Sequence, residues 1–274
     1  MIKVKRILKK ILAITKKEEM NVLPGEIAFF LVLSIVPTIA LIGFILSQFS
    51  LSVDSLVNFM KQSFPKEAYE IFVPMISGKG IDANVITFMI FGFLIASNGP
   101  YSIIVASNML YGFKADDYLK QRIKAVFMTI LLVMLFTVIS FLIGFSGLIF
   151  KTILSLDILE NFTKQIYYIL LVIKLPISFI IVFFLVKMLY TMAPDTPIPS
   201  KYVNNGALFT TIGWSLVTII YSYYVENFTN YDIFYGGLSN IIIMMMWIYI
   251  LSYILVMGIV VNTTSYENEL KKDE

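Results

Sequence analysis

Few side chains in this sequence can carry enzymatic chemistry. No histidine and no cysteine occur among its 274 residues. That removes disulfides, thiolate nucleophiles, Cys/His zinc sites, haem ligation by either residue and a Ser/His/Asp triad. Carboxylates, Lys, Tyr and Ser remain, but the carboxylates are scattered. The pair Asp116 and Asp117 stands beside Lys114, Lys120 and Arg122, a pattern of a solvated, charge-balanced loop rather than a metal-assisted hydrolase. No catalytic residue, metal ligand or cofactor is expected.

The polar groups that stand out lie inside apolar runs, where they suit the movement of a solute. Asn98-Gly99-Pro100 interrupts one such run, with Ser97, Ser102, Ser107 and Asn108 around it. Irregular backbone at membrane depth is tolerated only where protein or a water-filled cavity covers it, and such breaks recur at transporter substrate sites. The competing reading is a packed kink whose small polar groups bond neighbouring helices. Lys174 precedes Leu175-Pro176 roughly 12 Å from the outer end of its run, at 1.5 Å per residue. It either snorkels to the interface, faces an anionic group in a cavity, or pairs with a carboxylate such as Glu226. Ser34 stands before Pro37, where a kink is expected to free a carbonyl. Asn240 and Asn262 complete a candidate polar path with Glu26, Ser34, Asn98, Ser102, Asn108 and Lys174. Pro37, Gly99, Pro100, Pro176 and Pro194 are its expected breaks and hinges. Glu26 also suits helix capping.

The elements that hold these residues are set by hydropathy. Hydrophobic residues make up 58% of the chain and charged ones 14%, and the mean hydropathy is +0.84. Apolar stretches near 26–50, 84–112, 123–150, 166–191, 203–225 and 237–263 are each long enough to cross a hydrocarbon core about 30 Å thick as a helix. They lack the alternation of barrel strands. The fold class is therefore all-α: a polytopic transmembrane bundle of six helices, the second read as discontinuous. Residues 1–20 form a basic amphipathic surface helix, 21–264 the membrane domain, and 265–274 a charged tail.

Lys and Arg concentrate in the N-terminal arm, around 114–124, at Lys201 and at Lys271 and Lys272. By the positive-inside rule these mark the cytoplasmic side and place both termini there. The arm alternates Ile7, Leu8, Ile11, Leu12 and Ile14 with lysines, which suits a surface helix on anionic lipid rather than a secretory signal. Nucleic acid is not an expected partner, because the arm has one Arg and no aromatic residue. Residues 21–26 read as a turn into the membrane, so that Glu26 falls in the first turn of helix one. Residues 51–80, with Pro65 and Pro74, form an outer segment that either caps the bundle or acts as a lid. Pro194, Pro197 and Pro199 stiffen a linker between two three-helix halves. Gly206, Ala207 and Gly213 permit close helix contact.

The landmarks together resemble the YihY/BrkB family of bacterial inner-membrane proteins, once mislabelled ribonuclease BN. They are a basic N-terminal helix, the run GEIAFFLVLSIVP from Gly25 to Pro37, the segment carrying Asn98, Asn108, Tyr111 and Arg122, then Pro194 with Gly206-Ala207. The closing run goes from Tyr235-Gly236 through Trp247 to Gly258 and Asn262. The resemblance implies a six-helix membrane protein linked to envelope lipid handling. Two functional classes stay open: a transporter or flippase for an anionic lipid or envelope precursor, and a non-transporting scaffold for envelope assembly. A small-solute exporter is a further alternative. Membrane lipids, a second copy of the chain or an envelope protein are the expected partners.

Overall fold

The computed structural model describes residues 19–48, 83–134, 163–228 and 239–273, and every regular element among them is helical. In chain order they are α1 (Glu19–Gln48), α2 (Ala83–Ala96), α3 (Asn98–Tyr111), α4 (118–134) and α5 (Thr163–Met192). A 3-10 turn, η1 (Ser200–Val203), then leads into α6 (Asn204–Phe228) and α7 (Ser239–Asp273). Each of the six apolar stretches holds one helix, except that α2 and α3 share the second. The runs Ile90–Tyr111, Ser200–Val225 and Ile241–Glu267 are long and apolar enough to cross a membrane. Val22–Ser34 within α1 and Ser178–Met192 within α5 are further apolar segments. The basic N-terminal arm (1–18) and the outer segment (49–82) lie outside the described residues, as do the side chains of Pro37, Lys174, Glu226 and Asn240.

Side chains sort by face as lipid requires. On α4 the exposed residues Leu119, Ile123, Phe127, Ile130 and Met134 recur every three or four positions, while Gln121, Ala125, Met128, Thr129 and Val133 are buried. An apolar stripe turned outward fits a helix whose solvent is hydrocarbon. On α6 Leu208, Ile212, Leu216, Ile219 and Tyr223 form a second outward stripe, and Ala207, Thr210 and Thr211 face inward.

The interior is built around α7, which packs on α6 and α1, while α1 runs against α2 and α3. The α6–α7 contact is closest at two glycines. A Cβ on Gly206 would overlap the Gly258 carbonyl and the Asn262 side chain; one on Gly258 would overlap Thr210 Oγ1 and the Tyr190 hydroxyl. Small residues there let the backbones approach. Tyr190, buried in α5, bonds Thr210 at 2.6 Å and donates to the Leu255 carbonyl at 2.7 Å, joining α5, α6 and α7. Trp214 Nε1 adds a bond to Leu251 O at 2.9 Å.

One expectation is corrected. Residues 21–26 are not a turn: they lie within α1, and Glu26 is well past the first turn of that helix. Pro24 lacks a donor toward Met20, but the surrounding apolar packing holds the segment helical; Met20, Leu23 and Ile27 are core residues. The charged tail continues α7 to Asp273, because Glu and Lys are good helix formers that need no burial. The break in the second stretch narrows to one residue. Ser97 keeps right-handed helical dihedrals (φ −71°, ψ −9°), and the bonds Ser97 N→Phe93 O (3.0 Å) and Tyr101 N→Ser97 O (3.1 Å) cross it. Pro100 supplies no donor to the ladder.

Candidate functional site

Polar groups gather in three places. At the end of the bundle carrying the charged loop, α3 stops at Gly112, whose left-handed φ of 69° few side chains tolerate. The chain turns back through 113–117 into α4. Across from this elbow, the linker after α5 presents Asp195, whose side chain is only 4% exposed. Asp195 Oδ2 accepts from Asn108 Nδ2 (2.5 Å), Gln121 Nε2 (2.6 Å) and the Asp116 amide (3.0 Å). The Asp195 amide returns a bond to Asn108 Oδ1 at 2.8 Å. Both ends of the Asn108 amide group are thereby engaged, which also defines its orientation.

Lys124 closes the knot. Its ammonium donates to Asp195 Oδ1 (3.0 Å), Pro194 O (2.7 Å) and Ala193 O (2.8 Å), which uses all three of its donors. Burial works to raise the Asp195 carboxyl. The hydrogen bonds from Gln121, the Asp116 amide and Lys124, with the Lys124 charge, outweigh it and hold the group below the usual carboxylate range. Nearby, Tyr111, Phe113, Tyr202 and Tyr266 form an aromatic cluster, with Tyr111 stacked on Phe113 at 5.1 Å.

The second place is the kink. Asn98 Oδ1 accepts from Arg122 Nη1 at 2.7 Å, and Arg122 Nη2 donates to Leu94 O at 2.9 Å. The guanidinium carbon lies 5.8 Å from the Tyr101 ring centre. Arg122 is in the second turn of α4, roughly 6 Å along that helix from its first residue. The kink therefore stands level with the start of α4, beside the charged loop. Serines satisfy themselves locally: Ser34 Oγ donates to Leu31 O (2.7 Å), Ser97 Oγ to Leu94 O (2.7 Å) and Ser102 Oγ to Asn98 O (3.1 Å). The Ser34 bond thus goes to Leu31 and not to the Leu33 carbonyl that Pro37 would free.

The third place is the seam of α3, α6 and α7. Asn262, fully buried, accepts from the Gly206 amide at 2.7 Å. Its Nδ2 has no hydrogen-bond partner, nor do Ser107 Oγ, the Tyr111 hydroxyl, Asn204 Oδ1 and Ser252 Oγ. Among the described residues no group of three or more Asp and Glu side chains is placed to hold a metal ion.

A family model described as virulence factor BrkB matches residues 12–274. The chain belongs to that family. This BrkB-family protein is similar to the ribonuclease-like protein YfkH of Bacillus subtilis (strain 168), with 25% identity over 91% of each chain. It is also similar to a UPF0761 membrane protein of Vibrio atlanticus (strain LGP32), at 27% identity over 93% of this chain and 81% of the relative. A UPF0761 membrane protein of Vibrio vulnificus (strain YJ016) is 28% identical over 92% and 80% respectively. No solved structure matches the chain. The BrkB-family chain is thus an integral membrane protein of helical architecture.

The candidate residues separate accordingly. Asn108 and Pro194 meet in the knot. Ser34, Asn98, Gly99 and Ser102 gather at the kink, where Gly99 faces Leu31 and Ser34. Asn262 lies in the seam, and Glu26 is half-buried in α1. Pro176 is exposed within α5, and Lys174 and Asn240 are placed only by their backbones, in α5 and α7. Sequence reasoning missed Asp195, Gln121 and Lys124 as one unit, and missed Tyr111, Tyr190 and Ser252. No sequence signal marked Asp195, because Asp beside Pro is an ordinary turn residue and its partners lie far along the chain.

Proposed function

We propose that this BrkB-family protein moves an anionic lipid or lipid-linked envelope precursor across a bacterial cytoplasmic membrane, both termini being cytoplasmic, and does so without catalysis. One observation carries the reading: the buried polar atoms without partners on α3, α6 and α7. Such atoms cost about 1–3 kcal/mol each when left unbonded, and intramembrane polarity commonly marks a solute pathway. Ser252 and Asn262 are about 15 Å apart along α7, half the hydrocarbon thickness. Hydroxyls and amides can exchange bonds with a passing headgroup without holding it as a fixed charge would. Lys174 and Asn240 join the path on their sequence positions alone.

The test is flipping of labelled phosphatidylglycerol and phosphatidylcholine in reconstituted proteoliposomes, comparing wild type with Tyr111→Phe, Ser107→Ala and Ser252→Ala. These variants delete hydroxyls that bond nothing, so they are expected to fold at least as stably while flipping falls. Undiminished flipping in all three would remove the seam as the route. Folded wild type that flips no faster than protein-free vesicles would overturn the flippase reading in favour of scaffolding or small-solute export.

A further inference from the structure

Among the described residues Arg122 is a cation without a counter-charge. Its two hydrogen bonds go to neutral oxygens, Asn98 Oδ1 and Leu94 O, and among the described residues no carboxylate pairs with it. The acids nearby are otherwise placed: Asp116 pairs with Lys120 at 3.8 Å and Asp195 with Lys124 at 3.0 Å, while Asp117, at the exposed end of the loop, makes no ion pair with Arg122. Three of the five guanidinium N–H donors remain for a ligand, and the half-buried side chain keeps Tyr101 against one part of it.

Its surroundings are those of lipid rather than of water. The residues around it on α2 and α4 are large, apolar and outward: Ile90, Phe91 and Leu94 on one helix, Ile123 (70% exposed) and Phe127 on the other. Tyr118, packed edge-on against Tyr101 at 5.9 Å, stands one turn before Arg122 on the side of the charged loop, at the level where aromatic belts meet headgroups. A planar cation with free donors suits a phosphate, which it can grip through two parallel bonds. Apolar stripes leading away from it suit acyl chains.

We propose that Arg122, with Tyr101 and Tyr118, forms a binding site for the phosphodiester of an anionic phospholipid, whose chains lie along the outward faces of α2 and α4. A zwitterionic lipid fits less well because its own ammonium offsets the phosphate charge. The site lies outside the seam and does not depend on transport, so its test is a binding measurement.

The full chain carries a photo-crosslinking residue in place of Ile123, or, as a control on the outward face of α6, in place of Leu208. It is reconstituted in phosphatidylcholine vesicles containing labelled phosphatidylglycerol. Labelling at 123 should exceed that at 208 by about tenfold, the scale of one charge-assisted contact. It should saturate, yield to unlabelled phosphatidylglycerol, and persist against added phosphatidylcholine or inorganic phosphate. Arg122→Gln should reduce labelling at 123 to the control level, and Arg122→Lys should retain part of it. Equal labelling at the two positions, or unchanged labelling in folded Arg122→Gln, overturns the proposal. Because Arg122 also braces the kink, Arg122→Gln can fail to fold; the competition in the wild-type background then decides. Competition by inorganic phosphate alone, or equally by both lipids, overturns an anionic phospholipid site.

Discussion

Ser107 and Asn108 are neighbours on α3, yet they belong to opposite kinds of environment. Asn108 bonds through both ends of its amide to Asp195, inside a knot where Gln121 also donates to that carboxylate and Lys124 uses all three of its donors. Ser107 is as deeply buried, and its hydroxyl meets no partner. A helix turns successive residues by about 100°, so one residue faces the linker clamp and the next faces elsewhere. The difference teaches that burial of a polar group in this bundle does not by itself identify a working residue. Saturated groups hold elements in place; unsaturated ones are where bonding capacity is left over for something else.

The largest expected effect comes from breaking the saturated side. Lys124→Met leaves the Asp195 charge and the Ala193 and Pro194 carbonyls without their shared donor. Removing one member of a buried pair costs about 3–5 kcal/mol, which thermal unfolding in detergent should register as a lower midpoint; an unchanged midpoint would mean that the knot is dispensable. Next is Gly258→Ala, whose methyl meets Tyr190 and Thr210. Overpacking of this kind costs about 1–3 kcal/mol, and scanning stability across Gly206, Gly213 and Gly258 should find Gly213→Ala mildest, since its nearest obstacle is one Ile254 side chain.

Acid gives a smaller and graded effect. The Asp195 carboxyl titrates below its ordinary range when folded, so its contribution is complete above the unfolded value, near 3.9, and is lost as pH falls through the lower folded value. Stability measured from pH 6 to pH 3 should decline less in Asp195→Asn than in wild type; parallel curves would assign the acid sensitivity to other groups. On the unsaturated side the sign reverses. Ser107→Ala should stabilise by about 1 kcal/mol, because an unbonded hydroxyl is deleted, and a loss of stability would show that this hydroxyl does have a partner.

Hydropathy located every described helix, because a bilayer forces spanning segments into long apolar runs. It misjudged one end. At 21–26 Pro24-Gly25 resembles a turn until α1 is packed against its neighbours. The kink was legible from Gly99-Pro100, since a missing donor is a local fact. Its brace was not: Arg122 lies 24 positions from Asn98, and Asp195 lies 87 from Asn108. Nothing in a single sequence distinguishes a loop charge that meets water from one that meets a helix so far along the chain.

That separation bears on how the protein is made. When α3 and α4 have emerged and entered the bilayer, the chain holding Asp195 has yet to be synthesised, and Asn108, Gln121 and Lys124 wait with water or lipid headgroups as their only partners. The knot can close only after α5 has followed them in, so it acts as a late latch in biogenesis, fastening early helices to a linker delivered afterwards.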